Sequence, residues 1–298
     1  MTSFVTSISK EAAVQLEKDL HAQGFTLSKP AHTLFSAKKP GLSVTLYESL
    51  KLTVQGKNMK EFIEFYLEPQ VFQSTAFTYK NELLLQSMDQ RARIGVDEAG
   101  KGDYFGPLCV AGVYADPTTF QTLIELGVKD SKLLSDTQIR KIAQGIVKKV
   151  PNYIIRLSPK KYNELYASFH NLNRLLAWCH ATVIENLAAH FPAHVAIIDQ
   201  FASEDVVEQA VKKKRLTIAL EQRVRGEQDI VVAAASILAR WGFIEGIDAC
   251  GKPYNLTLQK GASGLVVKQA RTIVREHGAE ILEQIAKMHF KTTKEVCC

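Results

Sequence analysis

The sequence has few cysteines, and they form no recognisable pattern. The five cysteines stand at positions 109, 179, 250, 297 and 298, without a C-x-x-C pair, and an odd number cannot all pair within one chain. No spacing of Cys and His matches a zinc site. A disulfide scaffold and a zinc protein are therefore excluded. Residues 1–10 lack the basic patch and apolar core of a secretory signal, so we expect reduced thiols and a cytoplasmic protein.

Long apolar runs and the common nucleotide-binding loops are also missing. No apolar run reaches the roughly 18 residues of a membrane span, and the longest, Ile230–Ala239, contains Ser236. A dinucleotide loop G-x-G-x-x-G starting at Gly100 would need glycine where Phe105 stands, and no G-x-x-x-x-G-K-[ST] sequence occurs. The sequence thus predicts neither a membrane partner nor a nucleotide held by one of these two loops.

The composition is that of a soluble globular protein. The 298 residues are 46% hydrophobic and 23% charged, and at about 150 residues a domain they predict roughly two domains. Residues 1–90 contain nine basic and nine acidic residues, so the net charge of +6 lies entirely in residues 91–298. A modest positive excess suits a polyanionic partner but does not identify one.

Residues 1–70 have the pattern of a small α+β domain. Ser9 can cap an amphipathic helix over residues 9–22. Alternation of apolar and polar residues predicts strands over residues 33–37, 42–47 and 51–55, and a second helix over residues 59–67 ends before Pro69. The mixed, polar residues 71–91 are the predicted linker.

Residues 92–298 interleave apolar strands with helices, which indicates an α/β domain of roughly 200 residues. The predicted strands cover residues 94–97, 108–114, 153–157 and 195–199. The predicted helices cover residues 135–149, 171–190, 204–213, 231–248, 264–277 and 279–289.

Two of these apolar strands end in carboxylates. One ends in Asp97 and Glu98, and the other ends in Asp199. A charge close to the interior is costly unless it is paired or binds a metal. If the two strands are neighbours, their acids need a cation between them, and oxygen-only ligands favour a hard ion such as Mg²⁺ or Mn²⁺. The alternative is that each acid is an ordinary strand-end or helix-cap residue.

A glycine-rich segment directly follows the first acidic strand. Residues 97–107 read DEAGKGDYFGP, with three glycines and a proline within eleven residues. Such a loop brings its backbone close to a ligand, because glycine adds no side-chain bulk, and Lys101 adds a cation. The alternative is a structural turn without a ligand.

The sequence IGVDEAGKGDYFGP at residues 94–107 resembles the opening motif of the type 2 ribonuclease H family. The lysine between two glycines and the extra N-terminal domain are similar to bacterial ribonuclease HIII, whereas the sibling ribonuclease HII shares the chemistry. Further matches follow in the family's order: DSK at 130–132, NLN at 171–173, IDQF at 198–201, AAASILAR at 233–240 and HFK at 289–291.

This resemblance implies the fold and the reaction. The expected fold class is α/β: a ribonuclease H-like catalytic domain over residues 92–298, preceded by a small α+β domain over residues 1–70 that is similar to half of a TATA-binding-protein-like fold. The expected enzyme is a metal-dependent endonuclease that cleaves the RNA strand of RNA–DNA hybrids and leaves a 5′-phosphate. It would act as a monomer, with two Mg²⁺ or Mn²⁺ ions and without an obligate protein partner.

The resemblance also implies roles for individual residues. The family's metal-binding carboxylates correspond to Asp97, Glu98 and Asp199. A fourth acid corresponds to Glu227, with Asp229 as a rival because the gap to the following motif is one residue short.

The substrate-binding residues of the family lie in the next two motifs. The backbone of Gly100, Lys101 and Gly102 would contact the ribose hydroxyls that distinguish RNA from DNA. Ser131 and Lys132 would lie near the phosphate at the cleaved bond.

The N-terminal domain is expected to grip the hybrid. Its lysines at 38, 39, 51, 57 and 60 would contact the backbone, and Phe35 and Tyr47 would offer flat ring faces. The alternatives are solubilising lysines and core aromatics. The basic run at residues 212–215 is either a solvated helix end or a backbone contact.

Two other functions fit parts of the pattern. One is a nucleic-acid-binding protein with the same fold and no catalysis, but a binder has no use for three acids beside a phosphate backbone. The other is a metal-dependent DNA resolvase or exonuclease, which would not need a loop that reads the 2′-OH.

Overall fold

The computed structural model describes residues 3–63, 66–67, 71, 89–199, 204–223 and 226–297. The chain divides into two compact units, Met1–Met88 and Asp89–Cys298, named below the N-terminal and the C-terminal unit. Most of the predicted linker at residues 71–91 lies outside the described residues, as do Gln200 and Phe201 of one quoted motif.

The N-terminal unit is a five-stranded antiparallel sheet in the order β1-β5-β4-β3-β2. Its strands are β1 (Ser3–Ser7), β2 (Thr26–Ser28), β3 (Thr33–Lys39), β4 (Leu42–Tyr47) and β5 (Lys51–Gln55). Its helices are α1 (Lys10–Ala22) and α2 (Met59–Phe62).

Alternation along the strands gives this sheet one buried and one open face. In β4, Leu42, Val44 and Leu46 are buried, whereas Ser43 and Thr45 are partly exposed. The buried face packs against α1, whose apolar residues join the same core. Ser9 caps α1 as predicted, because its side chain accepts a hydrogen bond from the Ala12 backbone N–H at 3.1 Å.

Three expectations for this unit need correction. The sheet has two more strands than the three predicted, because the edge strands β1 and β2 are defined by pairing with β5 and β3 rather than by their own short patterns. Phe35 is only 2% exposed, so it is a core residue and offers no ring face. Among the residues that the structure describes, the second predicted helix is α-helical at Met59–Phe62 and π-helical at Ile63, Tyr66 and Leu67.

The C-terminal unit is built on a five-stranded mixed sheet in the order β10-β9-β6-β7-β8. Its strands are β6 (Arg93–Ala99), β7 (Leu108–Ala115), β8 (Asn152–Leu157), β9 (Val195–Asp199) and β10 (Ala219–Arg223). Its helices are α3 (Pro117–Glu125), α4 (Asp136–Lys149), α5 (Pro159–Phe169), α6 (Leu172–Ala188), α7 (Glu204–Lys213), α8 (Ile230–Gly251), α9 (Gly264–His277), α10 (Leu282–Ile285) and α11 (Lys291–Cys297).

Strand β6 lies at the centre of this sheet and is covered on both faces. On one face, Ile94 and Val96 share a core with the apolar side of α6. On the other face, a Cβ added to Gly95 would lie 2.5 Å from the backbone of Val231, so glycine is required where α8 crosses the strand. Both contacts fix the position of the end of β6, where Asp97 begins the acidic segment.

Helix α8 is the core helix of the C-terminal unit. Within the described part of the chain, Ile230–Tyr254 is the one helical stretch long and apolar enough to cross a membrane by length and composition, and 72% of its most apolar window is buried in the unit. That burial is typical of a core helix, which has the same composition as a membrane span.

The predicted helices and strands of this unit are largely confirmed, and five elements differ. The sequence patterns do not predict helices α3, α5 and α11 or strand β10. The helix predicted over residues 279–289 is instead a 3₁₀ turn at Ala279–Ile281 and the short α10, after which Ala286 is extended and pairs with Phe105. The extended segment pairs with the glycine-rich loop, a tertiary contact that overrides the helical pattern.

Candidate active site at the edge of the C-terminal sheet

Two acids lie side by side where the pairing of β6 with β9 ends. The two strands run parallel and in register, and the last paired residues are Val96 and Ile198. Asp97 and Asp199 are the next residue of each strand, so both carboxylates lie at the same edge of the sheet. With Glu98 and Glu227 they line one cavity of about 410 Å³, together with the cations Lys132, Arg240 and Lys260.

Asp97 is half-buried and lies among like charges. Burial and the negative charge of Glu98 raise the pKa of Asp97 to about 7, against hydrogen bonds from Ser236 and the Glu98 backbone, and Asp199 adds a further rise. The Glu98 N–H donates to Asp97 Oδ1 at 2.8 Å. A cation placed in the cavity would therefore stabilise the ionised form of Asp97.

Glu98 is held by two basic side chains. Its Oε2 lies 3.1 Å from Nε2 of His180, which is fully buried on α6, and its Oε1 lies 3.6 Å from Nζ of Lys101. Burial opposes ionisation of Glu98, but the hydrogen bond and charge of His180 and the charge of Lys101 outweigh it and lower the pKa of this carboxyl. Glu98 is therefore the ionised member of the pair when Asp97 is protonated.

Asp199 is fixed by the backbone of the segment that follows β10. The Gly226 N–H donates to Asp199 Oδ1 at 3.0 Å. A Cβ at position 226 would lie 3.0 Å from the Asp199 Cα, so a larger residue would push the two segments apart. Gly226 also begins the 3₁₀ turn Gly226–Gln228, which carries Glu227.

The structure separates the two rivals for the fourth acid. Glu227 lines the cavity, and its Oε1 lies 3.7 Å from Nζ of Lys132. Asp229 instead caps α8: it accepts a hydrogen bond from the Val231 N–H at 2.9 Å and forms a buried ion pair with Arg93 Nε at 2.9 Å. Asp229 thus supports the fold, and Glu227 is the acid in the cavity.

Two glycines of the glycine-rich loop, Gly100 and Gly102, differ in the space around them. Gly100 has φ of +87°, and a Cβ there would lie 2.3 Å from the Pro107 carbonyl oxygen, so no other residue fits. Nothing lies within 4 Å of a Cβ built at Gly102. The backbone at Gly102 therefore borders open space. Between them, Lys101 forms an ion pair with Glu98.

The DSK segment forms part of the cavity wall. Asp130 caps the 3₁₀ turn Ser131–Leu133 by accepting from the Lys132 N–H at 2.9 Å. Ser131 is buried, and its hydroxyl lies 2.9 Å from the hydroxyl of Ser236 on α8. The Lys132 side chain is 75% exposed, and its ammonium faces Glu227 across the cavity.

Several residues at the site were not assigned a role from the sequence. His180, Ser236, Arg240 and Lys260 reach the site from α6, from α8 and from the loop before α9. Arg240 and Lys260 also bind Asp136. Ser236 and Arg240 lie in a quoted motif but have no local signal of chemistry, and the contact of His180 with Glu98 spans 82 positions.

The four acids in the cavity offer the type of ligand atom that a hard divalent cation prefers. All four acids offer carboxylate oxygens, which Mg²⁺ and Mn²⁺ prefer. Burial and the charge of Glu98 raise the pKa of Asp97, so a cation in the cavity would stabilise its ionised form. Within the described ranges, no three His, Cys, Asp or Glu side chains are already drawn together as a metal cluster. The acids therefore line a common cavity and would have to converge on a cation by side-chain rotation.

Comparison with known proteins gives consistent matches over both units. A family model described as ribonuclease HII matches residues 94–293, and a model described as a domain of unknown function, DUF3378, matches residues 3–77. A protein of Protochlamydia amoebophila named ribonuclease HIII is 49% identical over 97% of this chain and 95% of its own. The protein of that name from Chlamydia trachomatis serovar L2 is 50% identical over 99% and 97%.

A solved structure agrees over the full length. The crystal structure of Bst-RNase HIII in complex with Mn²⁺ is 32% identical, covers 99% of this chain and 98% of its own, and superposes with a TM-score of 0.66. That structure holds Mn²⁺, a divalent ion.

Proposed function

Because the chain belongs to the ribonuclease HII family and is a ribonuclease H, we propose that it cleaves the RNA strand of RNA–DNA hybrids internally and leaves a 5′-phosphate. The observation that carries this proposal is the edge cavity, where four carboxylates lie beside an open glycine-rich loop. Such a cavity combines the ligands for cation-assisted hydrolysis with a backbone that can approach a ribose.

The metal-binding residues would be Asp97, Glu98, Asp199 and Glu227. When bound, a pair of Mg²⁺ or Mn²⁺ ions supplies activation of the attacking water and neutralisation of the charge that develops at the leaving 3′-oxygen. Asp97 would be the central ligand, since its carboxylate interacts electrostatically with those of both Glu98 and Asp199.

The protein's own contribution is to orient these carboxylates. His180 holds one oxygen of Glu98, and the Gly226 N–H holds one oxygen of Asp199, so both carboxylates keep a fixed orientation. The second oxygen of Glu98 faces the Lys101 ammonium at 3.6 Å, and a cation would take the place of that contact. Asp97 must lose its proton to act as a ligand, and its pKa of about 7 sets the pH at which this happens in the absence of a cation.

Substrate selection falls to the two loops on the cavity rim. The turn at residues 100–102 offers backbone donors and acceptors to the 2′-OH groups of the RNA strand, with open space at Gly102. Lys132 contacts the phosphate near the cleaved bond, and its exposed side chain has the reach for it.

The N-terminal unit would add grip on the hybrid through its open sheet face. The five strands contain no acidic residue, and Lys38 and Lys51 are exposed on them beside partly exposed hydroxyl residues. The acids of α1, among them Glu11 and Glu17, lie on the helix layer. The neutral total charge of residues 1–90 is therefore compatible with a cationic face on the sheet.

The direct test is cleavage of end-labelled duplexes of one sequence: RNA–DNA, RNA–RNA and DNA–DNA, each with Mg²⁺, Mn²⁺ or EDTA. We expect internal cleavage of the RNA in the hybrid alone, no cleavage in EDTA, and products that a 5′-phosphate-dependent exonuclease degrades. Equal cleavage of DNA–DNA, or activity that persists in EDTA, would contradict the proposal.

A further inference from the structure

A lysine is buried beneath the glycine-rich loop, outside the acid cluster. Lys287 follows α10 and has no exposed surface. Its ammonium donates to the backbone carbonyls of Asp103 and Gly106, each at 2.7 Å, and lies 3.4 Å from the carbonyl of Phe105. The three donors of one ammonium thus meet three carbonyls of a single turn.

Burial of this charge is unfavourable in itself. It lowers the pKa of Lys287 to about 8, against partial compensation by Asp103. An apolar side chain of the same length would avoid that cost but would leave the carbonyls of residues 103, 105 and 106 without their donor. The lysine is therefore suited to holding this loop, and a contribution to packing alone would not require an ammonium.

The same segment of chain also clamps the loop through its backbone. The Gly106 N–H donates to the Ile285 carbonyl and the Lys287 N–H donates to the Tyr104 carbonyl, each at 2.9 Å. On the other side of the loop, the Tyr104 N–H donates to the Gly261 carbonyl at 2.9 Å. Residues 103–106 are thus held from two sides.

The clamped residues continue directly into the turn that faces the cavity. The Asp103 N–H donates to the Gly100 carbonyl at 3.3 Å, which closes the turn at residues 100–103. A shift of the Asp103 peptide group would therefore change where the backbone of Gly100, Lys101 and Gly102 points. Lys287 contacts the carbonyl of that same Asp103.

We propose that Lys287 is a positioning residue for RNA recognition: its buried ammonium fixes the carbonyls of residues 103, 105 and 106 and so sets the 100–102 backbone that meets the 2′-OH. This inference rests on the proposed function, because it requires that the 100–102 turn contacts the ribose. Lys287 itself does not reach the substrate, since the loop lies between them.

The test is the preference for RNA–DNA over DNA–DNA, measured as the ratio of two binding constants in EDTA, for the full-length wild-type protein and for Lys287→Met and Lys287→Arg. We expect Lys287→Met to weaken hybrid binding about tenfold, the loss typical of a charge-assisted hydrogen bond, and to leave DNA–DNA binding unchanged. Lys287→Arg keeps the charge and several donors, so its preference should fall between the two.

The matched control is Lys294→Met, which removes an exposed lysine from α11 and should keep the wild-type ratio. The inference is overturned if Lys287→Met keeps the full preference, or if it weakens binding of both duplexes equally, as a purely structural defect would. If Lys287→Met does not fold, Lys287→Arg decides: a reduced ratio supports the inference, and an unchanged ratio overturns it. A wild-type protein without any RNA–DNA preference would instead refute ribose recognition by the turn.

Discussion

The two five-stranded sheets of this protein differ in where their polar residues lie. In the N-terminal unit, one face of an antiparallel sheet is covered by helices and the other is open, so polar side chains alternate with core residues along each strand. In the C-terminal unit, both faces of β6 are covered. Its acids Asp97 and Glu98 lie where its pairing with β9 ends, and Arg93, at the other end of the strand, lies in a buried ion pair.

This difference separates a surface suited to binding from a cavity suited to chemistry. An open face presents many weak contacts over a wide area, which suits sequence-independent binding of a backbone. The edge of a covered sheet brings a few groups together in a partly buried cavity, where charges interact strongly and pKa values shift. The raised pKa of Asp97 belongs to the second situation.

The largest expected effect comes from the edge. Asp97→Asn removes the central carboxylate and should lower kcat for hybrid cleavage by at least about 10³-fold, while hybrid binding stays detectable. Single-turnover cleavage with a binding assay in EDTA would measure both. Cleavage within tenfold of wild type would break the distinction between a catalytic edge and a binding face.

A second prediction separates two acids only two residues apart. Glu227→Gln should reduce kcat by about 10- to 100-fold, since a metal-site partner is lost, and should leave thermal stability unchanged. Asp229→Asn removes one partner of the buried pair with Arg93 and should cost about 3 kcal/mol of unfolding free energy. Urea denaturation and kcat measured on both variants would show the reverse pattern if the assignments were exchanged.

A third prediction concerns the pH dependence of stability in EDTA. The pKa of Asp97 is raised from 3.8 to about 7, so its protonated form stabilises the folded state below about pH 4, and this contribution is lost as pH rises through 7. Urea unfolding should therefore show wild type losing roughly 2 to 4 kcal/mol between pH 4 and 8 relative to Asp97→Asn. Excess Mg²⁺ at pH 8 should restore stability to wild type more than to the variant; equal pH profiles would contradict the shift.

The smallest effect is expected from the open face. Lys38→Gln with Lys51→Gln removes two cations from the N-terminal sheet and should raise KM about threefold, leave kcat unchanged and lower the salt dependence of binding. Lys18→Gln, on the exposed side of α1, is the matched control. If the control has the same effect as the double variant, the contribution is net charge and not a binding face.

Much of the catalytic fold follows from local patterns. The strands at 94–97 and 195–199 are confirmed because their residues form continuous apolar runs, and the helix at 264–277 is confirmed because its apolar residues recur at helical spacing. The edge strands β1, β2 and β10 could not be predicted, since their short sequences carry little pattern and they exist by pairing with a neighbour. The same reason explains the extended segment at Ala286.

The sequence by itself determined which residue types were available: acids after two buried strands, glycines where the chain must approach closely, and a motif similar to one family. Only the tertiary structure decided that Glu227 faces the cavity while Asp229 caps a helix, that His180 meets Glu98, and that Lys287 lies under the loop. Local propensity acts over a few residues, whereas the contacts of His180 with Glu98 and of Lys287 with the loop join residues 82 and 184 positions apart and arise only when the core packs.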